Sequence, residues 1–240
     1  MIYITGDTHM GIDIHKLSAT RFPEQKLLNK QDYVIVLGDF GMVWNEGKEE
    51  LYWRRWLDQK PWTTLFIDGN HDNHPLLDSF PAEQKFEGTV RKISDSIYFL
   101  PRGEVYTIDG ITFLTMGGAD SVDKLWRIQY EKDTGKKIWW KSEQITSEQI
   151  LDGLDHVDRK LGGRVDVVLS HAAPFFVERQ IREHIVQSPS SLLLQDLAYQ
   201  LDCKMWFFGH YHVDNTYTDR YGIRQYVGLY QQVYPLRLSI

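Results

Sequence analysis

The chain has 240 residues, of which 42% are hydrophobic and 13% aromatic, and its formal net charge is −6. This apolar content excludes a disordered chain, and the length predicts one domain, residues 1–240, with an insertion or lid at about residues 120–146. The acidic balance argues against tight non-specific binding to nucleic acid, which depends on Lys and Arg at phosphates, and leaves a nucleic-acid partner undecided.

The cysteine content and the first residues predict a compartment. The single cysteine, Cys203, excludes an internal disulfide, and its neighbours in "CKMWFF" predict a small buried side chain in a reducing compartment. Residues 1–9 carry a strand and a charged motif where a signal peptide would be, and no apolar run approaches membrane-spanning length. The sequence therefore predicts a cytoplasmic protein with no membrane partner.

Strands and helices alternate along the first half of the chain. Short apolar runs bounded by Gly, Asp or Asn predict strands. These are Ile2–Thr5, Tyr33–Leu37, Thr64–Ile67, Ile97–Leu100, Val105–Ile108, Ile111–Met116, Val165–Leu169, Met205–Phe208 and a hairpin, Asn215–Tyr230, that turns at Arg220, Tyr221 and Gly222. The predicted helices are His15–Asn29, Glu46–Gln59, Pro75–Phe80, Ser147–Leu161 and Pro189–Leu201. Because the second half adds antiparallel strands, the pattern predicts a mixed α/β sandwich.

Polar side chains stand just past the ends of five predicted strands. They are Asp7, Asp39, Asn70, His171 and His210, each two or three residues beyond an apolar run. In open α/β sheets ligands bind outside the carboxyl ends of the strands, where the following loops face one crevice. One cluster can therefore collect all five side chains.

The spacing within this set indicates a metal site. Asp7 and His9 are two residues apart, as are His210 and His212, and in extended backbone such pairs point to the same side. Oxygen and imidazole ligands without thiolate suit Mn²⁺, Fe or Zn²⁺ better than a structural zinc site. We therefore expect a catalytic metal centre.

Five sequence blocks in a fixed order resemble the signature of the calcineurin-like metallophosphoesterases. They are Asp7-Thr8-His9, Gly38-Asp39, Gly69-Asn70-His71-Asp72, His171 in "SHAAP", and Gly209-His210-Tyr211-His212. Five blocks spread over residues 7–212 are far more specific than any lone motif. The resemblance implies a four-layer α-β-β-α sandwich, with two facing mixed sheets and the metal site at the carboxyl ends of the strands.

The resemblance also implies a role for each motif residue. Asp7, His9 and His212 correspond to ligands of one divalent ion, and Asn70, His171 and His210 to ligands of a second; Mn²⁺ is the expected metal, with Fe or Zn²⁺ as alternatives. Asp39 corresponds to the carboxylate that bridges both ions. His71 corresponds to a catalytic histidine that is not a ligand, and a water or hydroxide between the ions would attack the phosphate ester.

The second block departs from the family pattern. Many members continue Gly-Asp with a further Asp that orients the catalytic histidine and an Arg that holds phosphate, whereas this chain has Met42 and Val43 there. We therefore expect Asp72, or Asp68, to orient His71. The basic segment 124–141, with six Lys or Arg against two acidic residues, offers Arg127 as the missing cation. Trp44, in the loop after Asp39, is a further candidate for substrate contact.

Three functions remain open at this point. The first is hydrolysis of a phosphodiester or nucleotide, and the second is a phosphomonoesterase acting on a phosphoprotein or small molecule. The third is a scaffold that keeps the fold without catalysis, which would be expected to lack ligands. The missing Asp-Arg pair disfavours a phosphoprotein phosphatase, and the acidic charge disfavours a nuclease.

Overall fold

The computed structural model describes residues 1–182 and 187–238, and within them the chain forms two mixed β-sheets flanked by helices. Strands and helices are numbered here in chain order. The first sheet runs β13 (Tyr234–Pro235), β1 (Ile2–Thr5), β2 (Tyr33–Leu37), β3 (Thr63–Ile67), β6 (Ile97–Phe99), β5 (Gly88–Lys92) and β4 (Ala82–Lys85). Its four strands β1, β2, β3 and β6 are parallel, and the remaining strands are antiparallel to their neighbours.

The second sheet has the same mixed character. In spatial order it runs β11 (Asn215–Thr218), β12 (Gln225–Gly228), β10 (Asp202–Phe208), β9 (Arg164–Ser170), β8 (Ile111–Met116) and β7 (Val105–Ile108). Strands β12, β10, β9 and β8 are parallel, while β11 and β7 close the two edges in antiparallel pairing. In each sheet the parallel strands therefore end on the same side, and the loops that follow them lie along one edge.

The described residues contain six α-helices. They are α1 (Lys48–Asp58), α2 (His74–Ser79), α3 (Lys124–Thr134), α4 (Ser147–Leu161), α5 (Phe175–Ile181) and α6 (Pro189–Gln200). Helix α1 packs on β3 and β6, and α4 packs on β7, β8 and β9. Within the described parts of the chain, no helix has both the length and the apolar character needed to cross a bilayer.

The hydrophobic core lies in three layers, which makes the molecule a four-layer α-β-β-α sandwich. Strand β2 shows the reason, because its side chains alternate between two faces that are both buried. Ile35 and Leu37 pack in the layer between the sheets with residues of β9 and β10. Val34 and Val36 pack in the outer layer with Trp62 of the loop before β3. A third layer lies between the second sheet and helices α4 to α6. The predicted fold class is confirmed.

Local signals fix the ends of two long helices. Thr146 begins α4 with a capping box, in which its hydroxyl accepts from Gln149 N and the Gln149 side chain accepts from Thr146 N. Gly162 ends this helix in the left-handed conformation at φ 69°. Ser188 caps α6, and Pro189 stands at its first position, where no N–H is needed. Both helices were predicted to within one residue.

One predicted helix is wrong and several elements were not predicted. Residues 15–29 form two short 3₁₀ helices, Ile14–Leu17 and Pro23–Leu27, instead of one α-helix. Pro23 is the cause, because it disfavours helical geometry in the preceding residue, and Phe22 has φ −127° and ψ 70°. The elements that sequence analysis missed are β4, β5, β13, α3, α5 and the 3₁₀ helix Lys141–Glu143.

Candidate metal centre

The loops after five parallel strands meet at one place and have unusual backbone geometry. His9, Asp39, His210 and His212 all have positive φ, between 40° and 65°. Non-glycine residues adopt this region rarely, and it costs energy that the surrounding structure must supply. Backbone bonds hold the loops together, since Thr8 N and His9 N both donate to Asp39 O at 3.2 and 2.9 Å.

Glycines in the motifs allow the ligand loops to approach one another. A Cβ at Gly69 would overlap the Asp39 carboxylate, and one at Gly209 would overlap the Asp7 carboxylate. These two positions therefore require glycine for close packing, independent of backbone conformation. The glycines of the motifs let two buried carboxylates lie directly against the main chain.

The first group of ligand-type side chains consists of Asp7, His9 and His212. One nitrogen or oxygen atom from each lies within 4.8 Å of the others. His212 Nε2 is 3.1 Å from Asp7 Oδ2. The Asp13 carboxylate lies 2.8 Å from His9 Nδ1. In the neutral ring Nδ1 therefore donates to Asp13, and Nε2 carries the lone pair that faces the group.

The second group consists of Asp39, His171 and His210, with Asn70 beside them. His171 is fully buried, and its Nδ1 lies 2.6 Å from the carbonyl oxygen of Leu37. In the neutral ring Nδ1 therefore donates to Leu37 and Nε2 carries a lone pair. That lone pair faces two further acceptors, Asp39 Oδ1 and Asn70 Oδ1, each at 3.3 Å.

Asp39 belongs to the second group and also contacts the first. Its Oδ2 is 3.3 Å from His9 Nε2 of the first group, and its Oδ1 is 3.3 Å from His171 Nε2 of the second. Oδ1 also accepts from His71 N at 2.7 Å, which fixes the carboxylate in this orientation. This one side chain therefore offers an oxygen to each group.

The donor set of this centre fits divalent cations. Asp7 and Asp39 are 0% and 2% exposed, and among the described residues neither carboxylate pairs with a Lys or Arg side chain. Asp7 Oδ2 also has no hydrogen-bond partner there. Buried carboxylates and converging lone pairs are unfavourable without a positive charge among them. Carboxylate, amide oxygen and imidazole ligands suit Mn²⁺, Fe and Zn²⁺.

The pKa values of His9 and His171 also indicate that the buried carboxylates favour positive charge at this centre. Burial would lower the pKa of His171, but the Asp39 carboxylate outweighs it and raises this pKa to about 10. In the same way burial lowers and Asp39 raises the pKa of His9, which ends at about 9. Burial and the neighbouring His171 lower the pKa of His210 to about 3. A metal ion must therefore compete with protons at two of the rings.

His71 and Arg127 meet at the edge of the centre. Arg127, on α3, is 4% exposed, and its Nη2 lies 2.9 Å from His71 Nε2 and 3.1 Å from His71 Nδ1. Its Nη1 donates to Asn70 O at 3.3 Å, and its Nε donates to Asp123 at 2.8 Å. Burial and the adjacent guanidinium lower the pKa of His71. Segment 124–141 thus brings a buried cation to the catalytic histidine predicted from sequence.

Asp72 and Asp68 do not lie where an orienting partner of His71 would be. The Asp72 carboxylate accepts backbone N–H groups from Phe40, Gly41 and Gly69, at 3.3, 3.0 and 2.8 Å. It ties the Asp39 loop to the Asn70 loop, and burial with the nearby Asp39 raises its pKa to about 6. Asp68 pairs with Arg102 and His74. Among the described residues neither carboxylate hydrogen-bonds to the His71 ring, which Arg127 contacts instead.

Arg102 and Asp68 form a buried ion pair below the centre, and we expect its loss to be costly. Their side chains are 6% and 2% exposed, and Arg102 Nε donates to Asp68 Oδ2 at 2.9 Å. Arg102→Met should lower the free energy of unfolding by about 3–5 kcal/mol, because it leaves a buried carboxylate without its main partner. Urea unfolding of the chelator-treated protein measures this change.

An exposed ion pair of the same kind provides the control. Arg159 donates to Asp155 at 2.8 Å on α4, and its side chain is 75% exposed. Arg159→Met should change the free energy of unfolding by less than about 1 kcal/mol, because water and salt screen the pair. Equal effects of the two substitutions would show that burial does not set the value of the Arg102 pair.

Outer contacts that sequence analysis missed support the first group. Tyr230 donates its hydroxyl proton to Asp13 at 2.9 Å, and its ring stacks on His212 with centroids 4.3 Å apart. Lys16 is buried and donates to backbone oxygens of Gly6, Asp7 and Tyr230. Asp13 lies four residues from His9, but its link to Tyr230 spans 217 residues, and no sequence spacing predicts such a contact.

Two clefts lie at the centre, one beside His9 of the first group and the other beside His210 of the second. The Trp44 cleft, about 430 Å³, is lined by His9, His71 and half-buried Trp44, among others. The Trp44 ring meets Trp140 of segment 124–141 edge to face, with centroids 5.0 Å apart. The His210 cleft, about 410 Å³, is lined by His210, Ser121 and Arg182, among others. A larger cavity of about 530 Å³, beside the β11–β12 hairpin, has none of the metal-ligand candidates in its lining.

The fold and the two ligand groups are those of a metal-dependent hydrolase. Comparison with protein families gives a match to calcineurin-like phosphoesterase over residues 1–214. Since this match covers most of the sequence, the chain belongs to the calcineurin-like phosphoesterase family. The resemblance inferred from five motif blocks is confirmed, and so is metal-dependent hydrolysis of phosphate esters as the chemistry of the family.

Comparison with solved structures gives matches of low identity, and the three described here have TM-scores below 0.5. Phosphopantetheinyl hydrolase (PptH) from Mycobacterium tuberculosis is 15% identical, with a TM-score of 0.42 over 95% of this chain and 89% of that one. GAP50, the anchor in the inner membrane complex of Plasmodium, is 9% identical, with a TM-score of 0.49 over 95% and 70%. Thermus thermophilus sulfate thiohydrolase SoxB is 11% identical, with a TM-score of 0.45 over 96% and 51%. No curated protein sequence matches the chain.

Proposed function

We propose that this protein hydrolyses a phosphodiester or a nucleotide with two divalent metal ions. The observation that carries the proposal is the pair of clefts on either side of the shared Asp39 carboxylate. A phosphodiester has a substituent on each side of phosphorus, and the Trp44 cleft and the His210 cleft offer a place for each. The Trp44 ring, which lines one of these clefts and packs against Trp140, suits a base or an aryl group.

The ligand roles in this proposal follow the two groups. Asp7, His9 and His212 hold one ion, Asn70, His171 and His210 hold the other, and Asp39 contributes to both. When bound, two divalent ions polarise the phosphate group and make water a stronger nucleophile. The positive φ loops and their backbone bonds keep these side chains in place before substrate arrives.

Three further residues handle the substrate in this proposal. Arg127 donates N–H groups to phosphate oxygens from its buried position beside His71. His71 contacts the phosphate or gives a proton to the leaving oxygen. Trp44 packs against the substituent on its side of the centre. Asp72 acts indirectly, because its carboxylate fixes the two loops that carry Asp39 and Asn70.

The wider organisation is part of the same proposal. Residues 1–240 form one domain, and segment 120–146 is an insertion that covers the cleft, as the contacts of Arg127 and Trp140 support. Mn²⁺ is the metal we expect, because harder oxygen ligands accompany the imidazoles and thiolate is absent from the set. The buried free Cys203 supports a reducing, cytoplasmic location.

A phosphomonoesterase is the second candidate, and one observation favours it. Arg127 adds a buried positive charge at the centre, and a monoester carries more negative charge on its phosphate than a diester does. A non-catalytic scaffold is disfavoured, since all seven ligand-type residues predicted from sequence are brought together around Asp39.

Parallel assays on an aryl diester and an aryl monoester test the proposal. Chelator-treated protein would be supplied with Mn²⁺, Fe²⁺, Zn²⁺ or Mg²⁺ and assayed with bis(para-nitrophenyl) phosphate and para-nitrophenyl phosphate. We expect the larger kcat/KM on the diester, and Trp44→Ala should lower it more than the value on the monoester. A clear preference of the wild-type protein for the monoester would favour the second candidate.

Arg127→Ala should weaken catalysis without removing metal. We expect kcat/KM to fall by an amount equivalent to about 1.5–3 kcal/mol, the range for a hydrogen bond to a charged group. The reason is that Arg127 is a buried cation in contact with His71 at the edge of the centre, where its remaining N–H groups can donate to phosphate. Steady-state kinetics on both aryl esters and elemental analysis of the purified variant measure the two parts of this prediction.

Lys132→Ala is the matched control for this prediction. Lys132 lies on the same helix, α3, but its side chain is exposed, so its removal should leave kcat/KM at the wild-type value. Wild-type kinetics of the Arg127 variant on both esters would return segment 124–141 to a surface role.

A further inference from the structure

Glu143 is a buried carboxylate without a cationic partner. It is 1% exposed, and across residues 1–182 and 187–238 no Lys or Arg side chain pairs with its carboxylate. A buried carboxylate is costly unless hydrogen bonds satisfy it. Both of its oxygens are taken up by one residue: Ser121 N donates to Oε1 at 2.9 Å, and Ser121 Oγ donates to Oε2 at 2.6 Å.

The bond to Glu143 sets the direction of the next bond in the chain. An ionised carboxylate only accepts, so the single hydroxyl proton of Ser121 is committed to Glu143. Ser121 Oγ can then only accept from Asn70, whose Nδ2 lies 3.3 Å away. The amide nitrogen of Asn70 must therefore face Ser121.

This orientation decides which atom of Asn70 faces the metal group. With Nδ2 on Ser121, Oδ1 points to His171 Nε2 at 3.3 Å, beside Asp39. An amide binds a cation through oxygen and not through its NH₂ group. A flipped amide would turn the NH₂ group toward the ion and lose the ligand.

We infer that Glu143 is a positioning residue for the second metal ion: through Ser121 it holds Asn70 with its oxygen toward the Asp39, His171 and His210 group. This inference rests on the proposed ligand role of Asn70 and not on the identity of the substrate. Ser121 and Glu143 stand near the two ends of segment 120–146, so the segment is tied to the metal centre at its base as well as through Arg127.

A purely structural role is the competing explanation. Glu143 O accepts from Ala119 N at 3.1 Å, and Arg102 Nη2 donates to the same oxygen at 3.1 Å, so residue 143 also closes the base of the segment. These bonds use the main chain and survive a side-chain substitution. The side chain of Glu143 can therefore be tested separately from the fold of the segment.

Glu143→Gln is the sharpest probe. The amide has nearly the same shape and still accepts from Ser121 N, but its NH₂ group can donate to Ser121 Oγ. Ser121 is then free to donate to Asn70, which favours the flipped amide. Ser121→Ala removes the link with a smaller change and serves as the second variant.

Metal affinity measured by competition with a chromophoric chelator tests the inference without substrate. Using Mn²⁺ and Zn²⁺ as probes, we expect Glu143→Gln and Ser121→Ala each to weaken binding of one ion by about 10–100-fold and to leave the other ion unchanged. Asp13→Asn disturbs the contact to His9 and should weaken binding of the other ion. The two sets of variants therefore show which measured affinity belongs to which ligand group. In an Asn70→Ala background, Glu143→Gln should have no further effect.

Three outcomes would overturn the inference. Unchanged affinity for both ions, with only a lower melting temperature of the chelated protein, would make Glu143 a structural anchor. An additional loss on top of Asn70→Ala would show that Glu143 acts by another route. Binding of a single ion by the wild-type protein would show that Asn70 is not a ligand of a second ion. This result would not depend on which esters the enzyme hydrolyses. If Glu143→Gln fails to fold, Ser121→Ala decides between these outcomes.

Discussion

Asp39→Asn is expected to abolish most of the activity and to lower the metal content of the protein. Asp39 places one oxygen 3.3 Å from His9 and the other 3.3 Å from His171, so it is shared by both groups. Substituting partners outside the ligand shell costs about 10–100-fold, so loss of a shared charged ligand should exceed about 100-fold. Activity on the aryl esters and elemental analysis of the variant measure both effects.

Asparagine is the right replacement because of the backbone at this position. Asp39 has φ 46°, a conformation that Asn tolerates better than most residues. Asp109 also has positive φ, at 50°, and lies exposed outside the centre. Asp109→Asn is therefore a control in which the same substitution is made at a residue of similar positive φ, and this variant should retain activity and metal. Undiminished activity in fully metal-free protein would refute the metal-dependent mechanism itself.

His71→Ala is expected to cut turnover by about 10²–10⁴-fold, the usual contribution of a positioned acid or base. Its metal content should remain near that of the wild-type protein, because His71 stands beside the two groups and is part of neither. Its ring lies against Arg127, and its centroid is 5.7 Å from that of His9. Single-turnover rates and elemental analysis separate a catalytic role from a ligand role.

The exposed His15 supplies a control for the loss of an imidazole. It packs edge to face on Trp53, away from the ligand groups, and His15→Ala should leave turnover unchanged. If the His71 variant loses metal in parallel with activity, His71 is a ligand and the assignment of the two groups must be redrawn.

Strands with both faces buried were predictable from sequence. Tyr33–Leu37 and Ile111–Met116 have the predicted bounds, because a continuous apolar run that ends at a turn residue leaves few alternatives. β4 and β5 carry mostly polar residues at an edge of the sheet, and β13 has two residues. Their existence depends on pairing with distant strands, which no local pattern shows.

The centre was predictable only as far as its motifs extend. Asp7, His9, Asn70 and the other motif residues follow strand ends in a fixed order, and they meet because those ends meet. Ser121 contacts Asn70 across 51 residues and Glu143 across 22 residues, and no sequence spacing predicts either contact. Asp72, one of the two candidates for orienting His71, is adjacent to it in sequence, but its carboxylate accepts from the backbone N–H groups of other loops.

The division of the ligands between the two sheets has a consequence for biosynthesis. Asp7, His9, Asp39 and Asn70 leave the ribosome long before His171, and the last ligand, His212, is followed by the strand β12 that completes the second sheet. At about 5–20 residues per second, translation from Asn70 to His212 takes roughly 7–28 seconds. During that time the nascent chain holds both carboxylates of the centre, together with His9 and Asn70, without the three later histidines. We therefore expect both ions to be bound only after His212 has been synthesised, so that the metal ions available in the cell at that time decide which metal the enzyme carries.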